Sequence, residues 1–262
     1  VLMFSGYAES DYLSYHEKET LLNELQRKSK GHLDLIYDTN SYSFSKVLEN
    51  ISHAKTCGCQ NILLTLSQEI PNNQYELLVI LEEVCCKFDG KIFIKLGGDC
   101  KFWNLQQNVL SQICSNPNVF ALVENIRDKN VFKFYTRIVG DKLEAIITTD
   151  ATFKYYPANH SLWTVSDTAA LLPKIHKAML KLEYKNNLAS TVGNKYDRLQ
   201  DLLQKTYDPI ITKLCLSRIN QVQPYFRSNI SRVPRTLHLE LNALLSDLEQ
   251  FSLKLETERS LV

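Results

Sequence analysis

Three short apolar runs, separated by two longer amphipathic stretches, dominate the first hundred residues of the chain. The runs are His32–Tyr37, Asn61–Leu66 and Lys91–Leu96, and each is rich in Leu and Ile. Phe44–Cys57 and Tyr75–Phe88 lie between them and have the length and periodicity of helices. Strands that alternate with helices predict crossover units. We therefore expect an α/β fold with a mostly parallel, doubly wound sheet of the RecA or Rossmann kind, covered by helices on both faces.

The same periodicities predict further elements on either side of this stretch. Strands are predicted at Val1–Phe4 and Val119–Val123, and helices at Tyr15–Lys30 and Asn104–Ser115. Val131–Ile138 and Leu143–Thr148 flank Gly140–Asp141, a turn-forming pair. This pattern predicts an antiparallel hairpin at an edge of the sheet.

Beyond Asp150 the apolar positions follow helical spacing. Helices are predicted at Asp167–Tyr184, Asn194–Leu216 and Leu237–Glu258. The last carries a seven-residue repeat over about three heptads, roughly the least that indicates a coiled coil. We expect a sheet domain over residues 1–150, and a helical appendage over residues 151–262 that packs on it and leads toward a coiled coil.

Composition excludes some classes of function. The net charge is +1, which predicts no strong field for nucleic acid. No apolar run approaches the roughly 20 residues that span a bilayer, so no membrane contact is expected. Seven irregularly spaced cysteines do not form a secreted disulfide framework. Because the chain begins at Val1 inside a predicted strand, we expect an excised domain of a longer intracellular protein.

No contiguous pattern of catalytic, cofactor-binding or metal-binding residues occurs. The chain has neither the phosphate-loop pattern nor the dinucleotide glycine pattern, and its Cys–x–Cys spacing is closer than that of zinc ligands. The sequence therefore predicts a non-enzymatic protein-interaction domain, an adaptor or scaffold with no cofactor and no metal. One alternative is a nucleotide-binding enzyme at the carboxyl edge of the strands, near Asp38, Ser67 and Gly97–Gly98.

The helical region supplies the predicted partner-binding surface. The heptad stripe of the last helix admits two interpretations. It packs against the stripe from Tyr196 within the domain, which we favour, or it leads into a longer coiled coil. The residues assigned to the surface are Tyr196, Leu199, Leu203, Tyr207, Leu241, Leu244, Leu248 and Phe251.

A second alternative rests on an acid-free segment, residues 209–239. It carries arginines with Tyr225 and Phe226 interleaved, a combination that could neutralise phosphates and stack on bases. The candidate nucleic-acid contacts are Arg218, Arg227, Arg232 and Arg235.

Two places resemble the second RecA-like lobe of Snf2-type helicases. Val1–Ser5 is similar to the opening strand of that lobe, and Val131–Val139, followed by Leu143–Glu144, is similar to a late strand and the start of the next helix. Residues 125–130 lack the paired arginines and the Gly–Gln of the ATP-sensing motif. A degenerate lobe followed by helices is similar to the fungal family of class II histone deacetylase complex subunits two and three.

This resemblance implies a non-catalytic nuclear adaptor of chromatin and telomeres. Its implied partners are a peptide of a telomere (shelterin) complex subunit, the deacetylase repressor complex of heterochromatin and a telomerase component. The heptad repeat of the last helix separately predicts a dimer formed through a C-terminal coiled coil.

Overall fold

A computed structural model describes most of the chain. The described residues are 2–4, 12–29, 32–41, 43–65, 73–95, 105–124, 129–139, 142–149, 162–181, 187–205, 208–219, 223, 225–227 and 234–259. Contacts within the chain divide it into two compact units, Val1–Thr164 and Val165–Val262.

Within the described residues, the first part of the chain contains seven strands and five helices, and a helix follows each of the first five strands. The strands are β1 (Leu2–Phe4), β2 (Leu35–Asp38), β3 (Asn61–Thr65), β4 (Lys91–Lys95), β5 (Val119–Glu124), β6 (Ala145–Thr149) and β7 (Leu162–Val165). The helices are α1 (Tyr15–Ser29), α2 (Phe44–Thr56), α3 (Gln74–Lys87), α4 (Gln107–Cys114) and α5 (Lys129–Val139). The strands predicted from the three apolar runs and the helices between them are confirmed.

Short-range hydrogen bonds fix where several helices begin. Ser14 and Glu17 cap α1 reciprocally, because the Glu17 amide donates to Ser14 Oγ (3.3 Å) and the Ser14 amide to Glu17 Oε2 (2.9 Å). Asn73 Oδ1 accepts from the amides of Tyr75 and Glu76 at 3.0 Å, and so begins α3. Gly58, at φ +77°, ends the turn that follows α2.

The strands lie side by side in the order of the sequence, from β1 to β7. The five successive pairings from β1 to β6 are all parallel. Crossovers between parallel strands are right-handed almost without exception. When each crossover also moves one strand in the same direction, the connecting helices must all lie on one face of the sheet.

Burial shows that one face of the sheet holds the helices. Tyr37, Ile62, Leu64, Ile92, Ile94, Leu122 and Ile146 share a core cluster with apolar residues from all five helices. The residues that alternate with them are also buried but lie outside that cluster: Ile36, Leu63, Phe93, Ala121, Val123, Ala145 and Ile147. We call the first set the outer face and the second set the inner face.

The predicted mostly parallel α/β sheet is confirmed, but its doubly wound RecA- or Rossmann-like arrangement is wrong. A doubly wound sheet reverses its strand order at a switch point, and its helices lie on both faces. Here the order never reverses over the seven described strands, and the five helices share one face.

The predicted hairpin around Gly140–Asp141 is also wrong. Residues 129–139 form helix α5, and β6 pairs with β5 in parallel. Tyr135, Ile138 and Val139 are buried in the outer-face cluster, at the spacing of one helical face. The apolar pattern of this stretch is therefore helical, although it was interpreted as a strand because a Gly–Asp pair follows it.

The second unit is helical. Its helices are α6 (Asp167–Leu171), α7 (Pro173–Lys181), α8 (Asn187–Lys205), α9 (Asp208–Arg218) and α10 (Arg235–Arg259). Pro173 and Pro209 stand at or near helix starts, where a missing amide hydrogen leaves no bond unmade. Helix α8 packs against α9 and α10. None of the helices within the described ranges is both long and apolar enough to cross a membrane.

Candidate active site

Polar residues end three neighbouring strands at the carboxyl edge of the sheet. Asp38 ends β2 and is followed by Thr39, Thr65 ends β3, and Lys95 ends β4. Ligands of parallel α/β sheets bind outside the carboxyl ends of the strands, because the loops there can vary without disturbing the core. This edge is therefore the first place to look for chemistry.

Thr65 and Lys95 lie side by side on the inner face. They are register partners across β3 and β4, and Lys95 is in turn paired with Val123 of β5. Since side chains alternate along a strand, Lys95 lies on the same face as Phe93, and Thr65 on the same face as Leu63. Lys95 is half-buried and Thr65 is buried. We call this row of three residues the edge rung.

The two buried threonines of this edge differ in one respect. Thr39 Oγ1 donates a hydrogen bond to the Leu63 carbonyl at 3.1 Å, and the Thr39 amide donates to the same oxygen at 3.0 Å. Thr65 Oγ1 is shielded from solvent and has no hydrogen-bond partner among the described residues. A buried hydroxyl without a partner costs free energy, so this contrast distinguishes Thr65 from Thr39.

Helix α2 holds the end of β2 in place. Asn50 Nδ2 donates to the Thr39 carbonyl at 3.3 Å, and the Asn40 amide donates to Asp38 Oδ1 at 3.0 Å. The second bond closes a turn that a carboxylate forms well. The local bonds of Asp38 are therefore those of a strand-end turn.

A second cluster of reactive side-chain types lies on the outer face. Tyr37 Oη is 3.4 Å from His53 Nδ1, and Cys57 Sγ is 3.3 Å from His53 Nε2. Burial raises the pKa of the Tyr37 phenol and of the Cys57 thiol and lowers the pKa of the His53 imidazole, so all three groups favour their neutral forms. Reactive cysteines instead have a lowered pKa. We interpret this cluster as part of the core packing.

The chemistry available at the edge rung is that of an amine beside a hydroxyl. The amine of a lysine can add to a carbonyl carbon and form a Schiff base, and a hydroxyl can donate to an oxygen of the same molecule. Within the described ranges, no group of three or more His, Cys, Asp or Glu residues is placed to hold a metal ion.

Most residues of the predicted partner-binding surface are buried inside the helical unit. Tyr196, Leu199 and Leu203 of α8 and Leu241, Leu248 and Phe251 of α10 are all buried, and Leu244 is half-buried. Tyr207 lies outside the described residues. The two stripes belong to helices that pack on each other, which is the first of the two interpretations offered above.

The arginines proposed as nucleic-acid contacts have different surroundings. Arg218 binds α10, donating to the Asn242 carbonyl at 3.0 Å and to Ser246 Oγ at 2.8 Å. Arg227 and Arg235 are exposed, and Arg232 lies outside the described residues. Of the residues named for a nucleotide site, Ser67 and Gly97–Gly98 also lie outside them.

Comparison with known proteins finds relatives in structure alone. No protein-family model matches the chain, and no curated protein matches it. Among solved structures, the dihydrodipicolinate synthase of Thermotoga maritima superposes with a TM-score of 0.79 at 17% identity, over 94% of this chain and 85% of that one. The dihydrodipicolinate synthase of Bacteroides thetaiotaomicron superposes with a TM-score of 0.80 at 15% identity, over 94% and 86%. That of Aquifex aeolicus gives 0.79 at 15% identity, with the same coverage. At these identities the likeness shows the fold alone, which is that of dihydrodipicolinate synthases.

These matches correct the predicted family. The chain resembles dihydrodipicolinate synthases in fold, and not a degenerate helicase lobe or a subunit of a histone deacetylase complex. The helicase resemblance depended on Val131–Val139 as a strand, and that stretch is helix α5. The chromatin and telomere function, the partners from the telomere, deacetylase and telomerase complexes, and the nuclear location followed from it and are wrong as well. Of the residues in the repeat predicted to form a dimeric coiled coil, Leu241, Leu248 and Phe251 are packed inside the helical unit.

The prediction of a non-enzymatic adaptor is also overturned, because the structures that share this fold over nearly the whole chain are enzymes. Thr65 and Lys95 were not among the site residues predicted from the sequence. Their one signal was a polar residue at the end of an apolar strand, which on its own is common.

Proposed function

We propose that the chain is an enzyme, a lyase of the aldolase type, that acts on a carbonyl compound at the carboxyl edge of its strands. The observation that carries the proposal is the position of Lys95. It is the last residue of β4, it lies on the inner face, and it is half-buried beside Thr65. We also propose that the inner-face residues meet one another across a closed barrel, the arrangement in which helices on one face leave no face open to water.

In the proposed reaction, the amine of Lys95 adds to the carbonyl carbon of the substrate. Loss of water then gives an imine, which on protonation withdraws electrons from the neighbouring carbon–carbon bond. That bond breaks or forms more readily than in the free carbonyl compound, and hydrolysis of the imine returns the amine. Val123, the apolar neighbour of Lys95 on β5, would limit the water that reaches the imine.

Fold alone does not fix an activity, so the support for this proposal comes from the residues of the edge. The seven described strands contain two lysines, Lys91 and Lys95. Lys91 begins β4 at the opposite edge, where its ammonium lies 4.2 Å from the centroid of the Phe120 ring. Lys95 is therefore the one amine that these strands bring to the carboxyl edge.

Reductive trapping tests the proposal. The protein is incubated with pyruvate, acetone or acetaldehyde, reduced with borohydride, digested, and mapped by mass spectrometry. We expect a reduced adduct on Lys95 with at least one of these compounds. Lys95→Met should lose it, whereas the matched control Lys91→Met, a change at the other end of the same strand, should keep it. An unmodified Lys95 across the panel, or an adduct that survives Lys95→Met, would overturn the proposal.

A further inference from the structure

The hydroxyl of Thr65 is the least explained polar group of the edge rung. Thr65 is buried, with 9% of its surface exposed, and its Oγ1 has no hydrogen-bond partner in the part of the chain that the structure describes. Nearly all buried polar atoms in proteins have a partner, so each exception calls for a ligand, an ordered water or a functional reason. The Thr65 hydroxyl lies on the strand next to Lys95 and in register with it, and this position favours a functional reason.

We infer that Thr65 is a catalytic residue, whose hydroxyl donates a hydrogen bond to the oxygen of the carbonyl group that Lys95 attacks. This inference rests on the proposed function. Strands in a sheet lie about 4.8 Å apart, so one small molecule can contact both side chains. As the amine adds to the carbonyl carbon, the oxygen gains negative charge and becomes a strong acceptor, and a donor already in place stabilises it.

The burial of the hydroxyl favours this role. A donor that faces bulk water exchanges one hydrogen bond for another when a substrate arrives, and gains little. Thr65 Oγ1 is shielded from solvent, so an oxygen that reaches it removes an unsatisfied group and competes with no water. The cost of leaving the hydroxyl unpaired in the free protein is then recovered in the transition state.

Thr39, which directly follows the neighbouring strand β2, supplies a matched control. It is also a buried threonine at the carboxyl edge, but its hydroxyl is bonded to the Leu63 carbonyl. Valine has nearly the shape of threonine and lacks the hydroxyl. Thr39→Val should therefore lower the melting temperature, because it removes a formed bond, whereas Thr65→Val should leave it unchanged or raise it.

The experiment measures the rate of reductive trapping on Lys95 with pyruvate and with acetone. Thr65→Val should lower this rate by about tenfold or more with both compounds, since both present a carbonyl oxygen. Thr65→Ser keeps the hydroxyl and should retain most of the rate. Thr39→Val should trap at nearly the wild-type rate despite its lower melting temperature.

Two results would overturn the inference while leaving the proposed function intact. One is a wild-type trapping rate in Thr65→Val. The other is a fall in melting temperature for Thr65→Val as large as that for Thr39→Val, which would mean that the hydroxyl already has a structural partner, such as an ordered water. If the proposed function itself is wrong, the result is different, because Lys95 of the wild-type protein is then not labelled at all.

Discussion

Replacement of Phe93 tests whether the inner face of the sheet forms a second core. Phe93 lies in the middle of β4, has 3% of its surface exposed, and belongs to the inner-face set, which lies outside the core cluster that contains the helices. Its ring lies 5.2 Å from that of Phe120, centroid to centroid. If the sheet closes on itself, Phe93 fills the space between strands. If the sheet is open, this ring faces water.

The expected cost of Phe93→Ala follows from that burial. Removal of a buried phenylalanine side chain destabilises a protein by about 3–5 kcal/mol, because apolar contact is lost and a cavity remains. Loss of the pairing with Phe120 adds to this within the same range. This loss is large, because a whole domain is stable by only about 5–15 kcal/mol. Divided by a urea slope of about 3 kcal/mol per M, it should lower the urea midpoint by about 1–2 M. Urea unfolding followed by circular dichroism measures it.

Two further variants make the result decisive. Ile94→Ala removes the next residue of the same strand, which faces the helices and should cost about 2–5 kcal/mol in either arrangement. Val79→Ala removes a residue of α3 that is 62% exposed and should change stability by less than about 0.5 kcal/mol. A cost for Phe93→Ala near that of Val79→Ala, with the full cost at Ile94, would refute the inner core and with it the barrel.

Two other predictions concern the helical unit and the thiols. Arg218→Met should lower the free energy of unfolding by about 1–3 kcal/mol, because it removes the hydrogen bonds from α9 to α10. Replacement of exposed Arg235 by Met should change it by less than about 0.5 kcal/mol. Urea titrations compare the two variants, and equal effects would contradict the role given to Arg218. Burial raises the pKa of Cys114 to about 11 and that of Cys215 to about 12, so both should resist iodoacetamide at pH 8 until the protein unfolds. Exposed Cys86 should be alkylated before either of them; mass spectrometry gives the order, and early labelling of Cys114 would refute its burial.

Sequence periodicity predicted the elements of the sheet because it reports a local property. The runs that became β3 and β4 are short and apolar, and the stretch that became α2 repeats its apolar residues every three or four positions. Each pattern is set by which side of one element meets the core, so no knowledge of the neighbouring elements is needed.

The order of the strands is not a local property, and here the prediction failed. A doubly wound sheet and a barrel use the same unit of strand, helix and parallel strand, and in both the strands are buried on two sides. Ile92 and Phe93 are both apolar residues of one strand, although Ile92 lies on the outer face with the helices and Phe93 lies on the inner face. What separates the two folds is whether successive crossovers continue in one direction, and no residue of β3 or β4 records that.

The candidate site was missed for a related reason. Catalytic sequence motifs consist of residues near one another in the sequence, and Thr65 and Lys95 are thirty positions apart. They meet only because β3 and β4 pair in register. Enzymes of the barrel fold draw their catalytic residues from the ends of several strands, so a chain of this fold can lack every contiguous motif and still hold an active site. The absence of such motifs was the main ground for predicting an adaptor, and for a barrel that absence carries little information.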